Sequence, residues 1–150
     1  MGIITAIISG ALMSLQGVFN EGVTKQTSIW ISASFVQLTA FIVCILAWIF
    51  TGRDGNFVSL FSIQNKYMLL GGVMGALITY TVIRSMSNLG PAEAVMIIVT
   101  AQVLVAYLIE LFGLFGVEKV DFQWSKLVGV LLAIGGIILF YITWNCSIFF

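Results

Sequence analysis

A few polar side chains interrupt long apolar stretches of this sequence, and they are the residues best able to do chemistry. Polar groups inside a membrane-spanning segment are costly, so each one needs a packing role or a functional role. The candidates for binding a substrate or a proton are Gln16, Asn20, Gln37, Tyr80, Gln102 and Glu110. A carboxylate can hold a proton or a cation, and amide and phenol groups can hydrogen-bond a solute.

Glu110 and Gln102 lie in the same apolar stretch. No charged residue lies within four positions of Glu110, so it has no partner one helical turn away. Its carboxylate either reaches the lipid headgroups or faces a cavity, where it would bind a proton or cation. Gln102, near the middle of the stretch, either holds helices together or contacts a substrate at the membrane midplane. Gln16 and Asn20, spaced by four, share a helix face and fit packing or cavity lining equally.

Arg84 and Glu93 stand at similar distances on either side of a predicted tight turn at residues 87–90. If the flanking segments are helices, these two residues should lie at similar depth and could form an ion pair. That pair would either fix the hairpin near the membrane interface or act as a gate. Arg84 unpaired in a cavity would favour an anionic substrate, whereas Glu110 favours a cation.

The elements that must position these residues follow from the distribution of charge. The chain has 150 residues, of which 61% are hydrophobic and 8% charged, whereas soluble domains are about a quarter charged. A helix of about 20 apolar residues spans a bilayer, and the uncharged runs predict helices at about 2–20, 29–51, 67–85, 91–115 and 126–145. Tryptophans 30 and 48, and tryptophans 124 and 144, are about 27 and 30 Å apart along a helix, as expected for anchors at the two interfaces. The predicted fold is an all-α integral membrane protein, with five transmembrane helices in a single domain, 1–150.

Small residues indicate which helix faces pack closely. Gly71 and Gly75 in the third predicted helix, and Gly129, Ala133 and Gly136 in the fifth, form stripes that let two backbones approach in lipid. Such stripes do not say whether the second helix belongs to the same chain. Between the second and third helices, apolar residues at helical spacing predict a short interfacial helix.

Several classes of function are disfavoured by composition. Net charge is zero, so no nucleic acid partner is expected. The chain has no histidine, and its two cysteines, Cys44 and Cys146, lie far apart, so no metal site or cofactor is expected. There is no nucleotide-binding glycine loop and no nucleophile–base pair, which argues against ATP drive and against an enzyme.

Three segments carry a resemblance to a known family. They are "SGALMSLQGVFNEGVTKQTS", "GGVMGALITYTVIRSMSNLGPAEAVMIIVTAQVLVAYLIELFGLFG" and "WSKLVGVLLAIGGIILF". Together they resemble the YdcZ-like family of small inner-membrane proteins, a branch of the drug/metabolite transporter (DMT) superfamily. Gln16, Asn20, Gln102 and Glu110 carry the resemblance most specifically. Family members usually have Asp at the position of Glu110 and a small residue at that of Glu93. The resemblance implies an exporter that forms half of a ten-helix DMT-type bundle.

The sequence is therefore interpreted as a secondary transporter subunit of the bacterial cytoplasmic (inner) membrane. It would export a small metabolite or drug, with a cation favoured, driven by protons or by exchange. A small oligomeric ion channel and an accessory structural membrane protein are the alternatives. Expected partners are the lipid bilayer, the small-molecule substrate and a second chain. That chain would be an antiparallel copy of this one or a paralogue. Both orientations are possible because the excess of lysine and arginine on one side of the membrane is small.

Overall fold

The computed structural model describes residues 1–53 and 55–147, with side chains through residue 140. Every regular element in this part of the chain is helical. Five α-helices follow in order: α1 Gly2–Gln26, α2 Ile29–Phe50, α3 Gly71–Leu89, α4 Pro91–Phe112 and α5 Trp124–Ser147. Short 3₁₀ helices occur at Phe57–Ser62, Lys66–Leu70 and Leu114–Gly116. The all-α prediction is confirmed, while the side chains of Trp144 and Cys146 lie outside the described residues.

Four helical segments are long and apolar enough to cross a membrane: Gly2–Gln26, Ile29–Phe50, Lys66–Leu89 and Pro91–Phe112. The part of α5 with described side chains, Trp124–Phe140, is a shorter apolar helix. Large apolar side chains cover the outer surfaces of these helices; Ile3 is 80% exposed and Leu132 is 71% exposed. Surfaces of this kind suit hydrocarbon and not water. The chain is a multi-pass membrane protein.

Helix α1 continues to Gln26, well past its predicted end near residue 20. Polar residues in this stretch indicate a loop by composition, yet Glu21 and Lys25 form an ion pair of 2.8 Å along one face of the helix. Pairs spaced by four stabilise a helix, so the helix stops only at Thr27. Ser28 then begins α2, where its hydroxyl accepts a hydrogen bond from the Ile31 N–H at 3.3 Å, as a helix N-cap does.

Glycines define the two ends of α4. Gly90 has φ 84°, and Pro91 follows at the first helical position, where its missing N–H costs nothing. Gly113 adopts the left-handed conformation, with φ 63° and ψ 36°, and left-handed glycine is a common helix terminator. The helix therefore ends at Phe112 and does not reach the predicted residue 115.

The chain divides into two compact units, Met1–Asn88 and Leu89–Phe150. In the first unit α1 packs on α2, where the Ser32 hydroxyl donates a hydrogen bond of 3.0 Å to the Asn20 carbonyl. Helix α1 also contacts α3, because Gly17 leaves room for the Met86 thioether. The second unit consists of α4 and α5 with their connection. Five spans remain the prediction, and four helices already meet the criteria of length and composition.

Candidate functional site

The connection between α4 and α5 brings together charges that lie far apart in sequence. Glu110 is on the last turn of α4 and Lys126 is on the first turn of α5. The Lys126 Nζ donates to the Glu110 Oε2 at 3.3 Å. The two side chains are 39% and 43% exposed, respectively. Glu110 therefore has a cationic partner on α5, although α4 itself contains no lysine or arginine.

The backbone around Glu110 holds this connection in place. The Glu110 carbonyl accepts hydrogen bonds from the N–H of Gly113 at 3.3 Å and from that of Val120 at 3.0 Å. A Cβ on Gly113 would lie 3.3 Å from the Lys119 Cβ, so both conformation and space favour glycine there. The chain thus folds back across the end of α4 and carries the start of α5 towards Glu110.

Tyr107, one turn before Glu110, completes the group. Its hydroxyl accepts a hydrogen bond of 3.1 Å from the Gln123 N–H, just before α5. The Lys126 Nζ lies 5.5 Å from the centre of the Tyr107 ring, within the range of a cation–π contact. The lysine ammonium therefore meets a carboxylate and an aromatic face at once. We call Tyr107, Glu110 and Lys126 the ammonium cluster.

Each charge of the ammonium cluster stands at the unfavourable end of its helix. A helix C-terminus carries partial negative charge and disfavours a carboxylate, and an N-terminus disfavours a cation. Glu110 and Lys126 occupy these two positions. Since each would be destabilised alone, the contact between them relieves both. Trp124, two residues before Lys126, is 73% exposed and has the character of an interfacial anchor.

The first unit gathers two other candidates on the facing sides of α2 and α3. The Tyr80 ring stacks on Trp30, with centroids 4.9 Å apart and an interplanar angle of 22°. The Gln37 amide lies beside Gly75, where an added Cβ would be 3.1 Å from the Gln37 Nε2. Both candidates are half-buried. Trp30 was expected only as an interfacial anchor, and its stacking partner lies 50 positions further along the chain, beyond the reach of any local pattern.

Gln16 and Asn20 differ in their surroundings, although they share a helix. Gln16 is exposed and lines an open depression along α1 with Thr5 and Ser9. Asn20 is 7% exposed, and its backbone carbonyl accepts a hydrogen bond from the Ser32 hydroxyl. The structure therefore places Asn20 in the α1–α2 contact and leaves Gln16 accessible, beside Ile8, Leu12 and Met13 as well as the two hydroxyl residues.

The remaining candidates are not members of the ammonium cluster. Gln102 is exposed on α4, and Arg84 is exposed on α3. Glu93 is half-buried in the first turn of α4, where the helix dipole favours a carboxylate. It lines a cavity of ≈ 110 Å³ with Pro91 and Phe140. Arg84 belongs to the first unit and Glu93 to the second, and their ion pair stays a prediction.

Comparison with known proteins gives one match. The model of a family described as "Putative inner membrane exporter, YdcZ" covers residues 1–139. The chain belongs to the YdcZ family. No similar protein is found among curated sequences or among solved structures.

In this YdcZ family chain, most of the glycines proposed for helix packing have open space beside them. A Cβ added at Gly71, Gly129 or Gly136 would meet no atom of the described residues within 4 Å. Gly75 is the exception, because it accommodates Gln37. Ala133 is exposed on α5. The described part of the chain therefore leaves close-packing surfaces on α5 unused.

Two residues of the ammonium cluster are absent from the candidates found by sequence. The sequence alone assigns no role to either Lys126 or Tyr107. The signal for Tyr107 was available, since a residue three positions before Glu110 shares its helix face. No comparable signal exists for Lys126, because its approach depends on how residues 113–123 fold.

Proposed function

We propose that this YdcZ family chain is a secondary transporter subunit that exports a small organic cation across the bacterial cytoplasmic membrane. Glu110 is the proposed binding carboxylate. The observation that carries this proposal is that the Glu110 carboxylate already contacts an alkylammonium group, that of Lys126. The YdcZ family match supports export as the direction.

Proton coupling is part of the proposal because one carboxylate cannot hold a proton and a cation together. A site that binds either ligand, but not both, links the two binding equilibria. If the loaded site opens to alternate sides of the membrane, a proton entering on one side displaces the cation on the other. The same competition supports exchange of one cation for another.

We also propose that the transporting unit contains two chains, an inverted pair of this chain or a pair with a paralogue. An odd number of spans puts the termini of one chain on opposite sides. Two inverted five-helix chains would form ten helices in two inverted halves, a recurring transporter architecture. The open faces at Gly129 and Gly136 suit such a partner, because small residues permit close helix contact in lipid, and the exposed Gln16 could hydrogen-bond to it.

The proposed function is tested by transport into liposomes containing the purified chain. We expect a pH gradient to drive saturable uptake of a fluorescent organic cation. Glu110→Gln should reduce that uptake at least about tenfold, since the amide keeps the shape of the side chain and loses its charge. Glu118→Gln, which makes the same change in the loop before α5, is the matched control and should transport normally. Wild-type uptake by Glu110→Gln would refute the proposal, and currents far above carrier turnover would indicate a channel.

A further inference from the structure

Lys126 is the only described lysine whose ammonium group lies against both a carboxylate and an aromatic ring. We infer that Tyr107 and Glu110 form a binding site for a primary alkylammonium ion, and that Lys126 occupies this site as a tethered ligand. The inference deepens the proposed function, on which it rests for the role of Glu110 in transport. It adds the class of ligand, a second binding residue and a built-in competitor.

The geometry selects a primary ammonium group. Lys126 approaches the Glu110 Oε2 at 3.3 Å through an N–H donor, with the Tyr107 ring 5.5 Å away. A carboxylate accepts hydrogen bonds, and the ring face attracts the positive charge. A free alkylammonium ion can make the same two contacts. An anion would be repelled by both groups, and a quaternary ammonium ion has no N–H to donate.

The α4–α5 connection does not depend on the ammonium group of Lys126. The Val120 N–H donates to the Glu110 carbonyl, and the Gln123 N–H donates to the Tyr107 hydroxyl. Neither hydrogen bond involves the lysine side chain. The Lys126–Glu110 contact is therefore dispensable as a clamp, which distinguishes a displaceable ligand from a structural ion pair.

The contact is also exposed enough for exchange. Lys126 and Glu110 are 39% and 43% exposed, so the described part of the chain leaves both groups open to an approaching ion. Ion pairs of this exposure shift an equilibrium by a factor of only about 2 to 5. A competing ion then needs an affinity only about 3- to 6-fold higher to compensate for the tethered lysine. The tethered lysine therefore weakens the binding of a free ammonium ion without preventing it.

The test is a binding experiment with n-butylammonium, which reproduces the lysine stem and ammonium. Thermal unfolding of the detergent-solubilised full chain is followed as n-butylammonium is added, with sodium chloride keeping the ionic strength equal. We expect Lys126→Ala to show saturable stabilisation, with an apparent Kd about 3- to 6-fold lower than the wild type. Lys119→Ala, which removes a lysine from the preceding loop, should bind as the wild type does.

Three double variants identify the site. Lys126→Ala with Glu110→Gln should lose saturable binding. Lys126→Ala with Tyr107→Leu should bind about 2- to 5-fold more weakly than Lys126→Ala with Tyr107→Phe, because both lack the tyrosine hydroxyl and only phenylalanine keeps the aromatic ring. If Lys126→Ala does not purify in folded form, Lys126→Met retains the apolar stem and replaces it.

Equal affinities in the wild type and Lys126→Ala would overturn the inference, as would saturable binding in the variant lacking Glu110. These outcomes are separable from failure of the proposed function. If Glu110→Gln still transports, the proposed function fails while binding to Lys126→Ala still establishes the site. If Glu110→Gln stops transport but Lys126→Ala binds no better than the wild type, only the tethered ligand is refuted.

Discussion

Replacing Gly17 by alanine should destabilise the first unit, because α1 and α3 meet there without spare room. A Cβ at position 17 would lie 2.6 Å from the Met86 Sδ and would also clash with its Cε. Val82 is near as well, at 3.5 Å from that Cβ to its Cγ1. Met86 is 2% exposed, so its side chain cannot move aside freely even though methionine is flexible.

The magnitude follows from two opposing terms. Overpacking a filled interior costs about 1–3 kcal/mol. Exchanging glycine for alanine within a helix returns about 1 kcal/mol. The net destabilisation of Gly17→Ala is therefore about 0–2 kcal/mol. The packing cost alone is the difference between this value and the effect of the same substitution at a glycine with free space around it.

Gly10 supplies that comparison on the same helix. No described atom lies within 4 Å of a Cβ placed there, so Gly10→Ala should be neutral or stabilising by up to about 1 kcal/mol. The measurement is reversible unfolding in mixed micelles of both variants and of the double variant Gly17→Ala, Met86→Ala. Truncating Met86 makes room for the new methyl group, so the two changes should couple by about 1–3 kcal/mol.

Equal stabilities of the Gly17→Ala and Gly10→Ala variants would refute this account of the α1–α3 contact. Additive effects of the Gly17 and Met86 substitutions would refute it as well, because residues that do not touch seldom couple.

Two further predictions concern the interior charges and the orientation of the chain. Removing Arg84 or Glu93 alone should cost more stability than removing both, since an uncompensated charge in a span is expensive; coupling near zero in a double-mutant cycle in detergent would argue against their pairing. Single cysteines at Asn56 and Thr27, in a cysteine-free background, should each be labelled from both sides of intact cells. Labelling from one side only, with no partner paralogue encoded, would exclude an inverted homodimer.

The spanning helices were predictable from sequence because lipid imposes a simple rule. Uncharged runs of sufficient length must be helical to satisfy their backbone groups, and α2 at Ile29–Phe50 agrees closely with the predicted 29–51. The ends were harder to predict. Glu21 and Lys25 resemble a loop by composition, but their ion pair extends α1 to Gln26. At the end of α4, Gly113 in the left-handed conformation ends the helix earlier than the apolar run does.

The candidate site was predictable only in part. Glu110 stands out as a carboxylate in an apolar run, and that signal is local. The Lys126 contact spans 16 positions and depends on left-handed turns at Gly113 and Phe115, which periodicity does not encode. Phe115 at φ 58° is an unusual conformation for a residue with a side chain, so composition offered no indication of it.

Under the proposed function, coupling requires no titratable residue beyond Glu110. A proton, the Lys126 ammonium group and a substrate cation all neutralise the same carboxylate, and each excludes the other two. Without any of these partners, the Glu110 carboxylate would be an uncompensated negative charge at the C-terminus of α4, which the helix dipole disfavours. With Lys126 at 3.3 Å, the substrate-free chain avoids that state. Since Lys126 can also take the place of the departing cation, proton entry is linked to cation exit only in those turnovers in which a proton, and not Lys126, occupies Glu110.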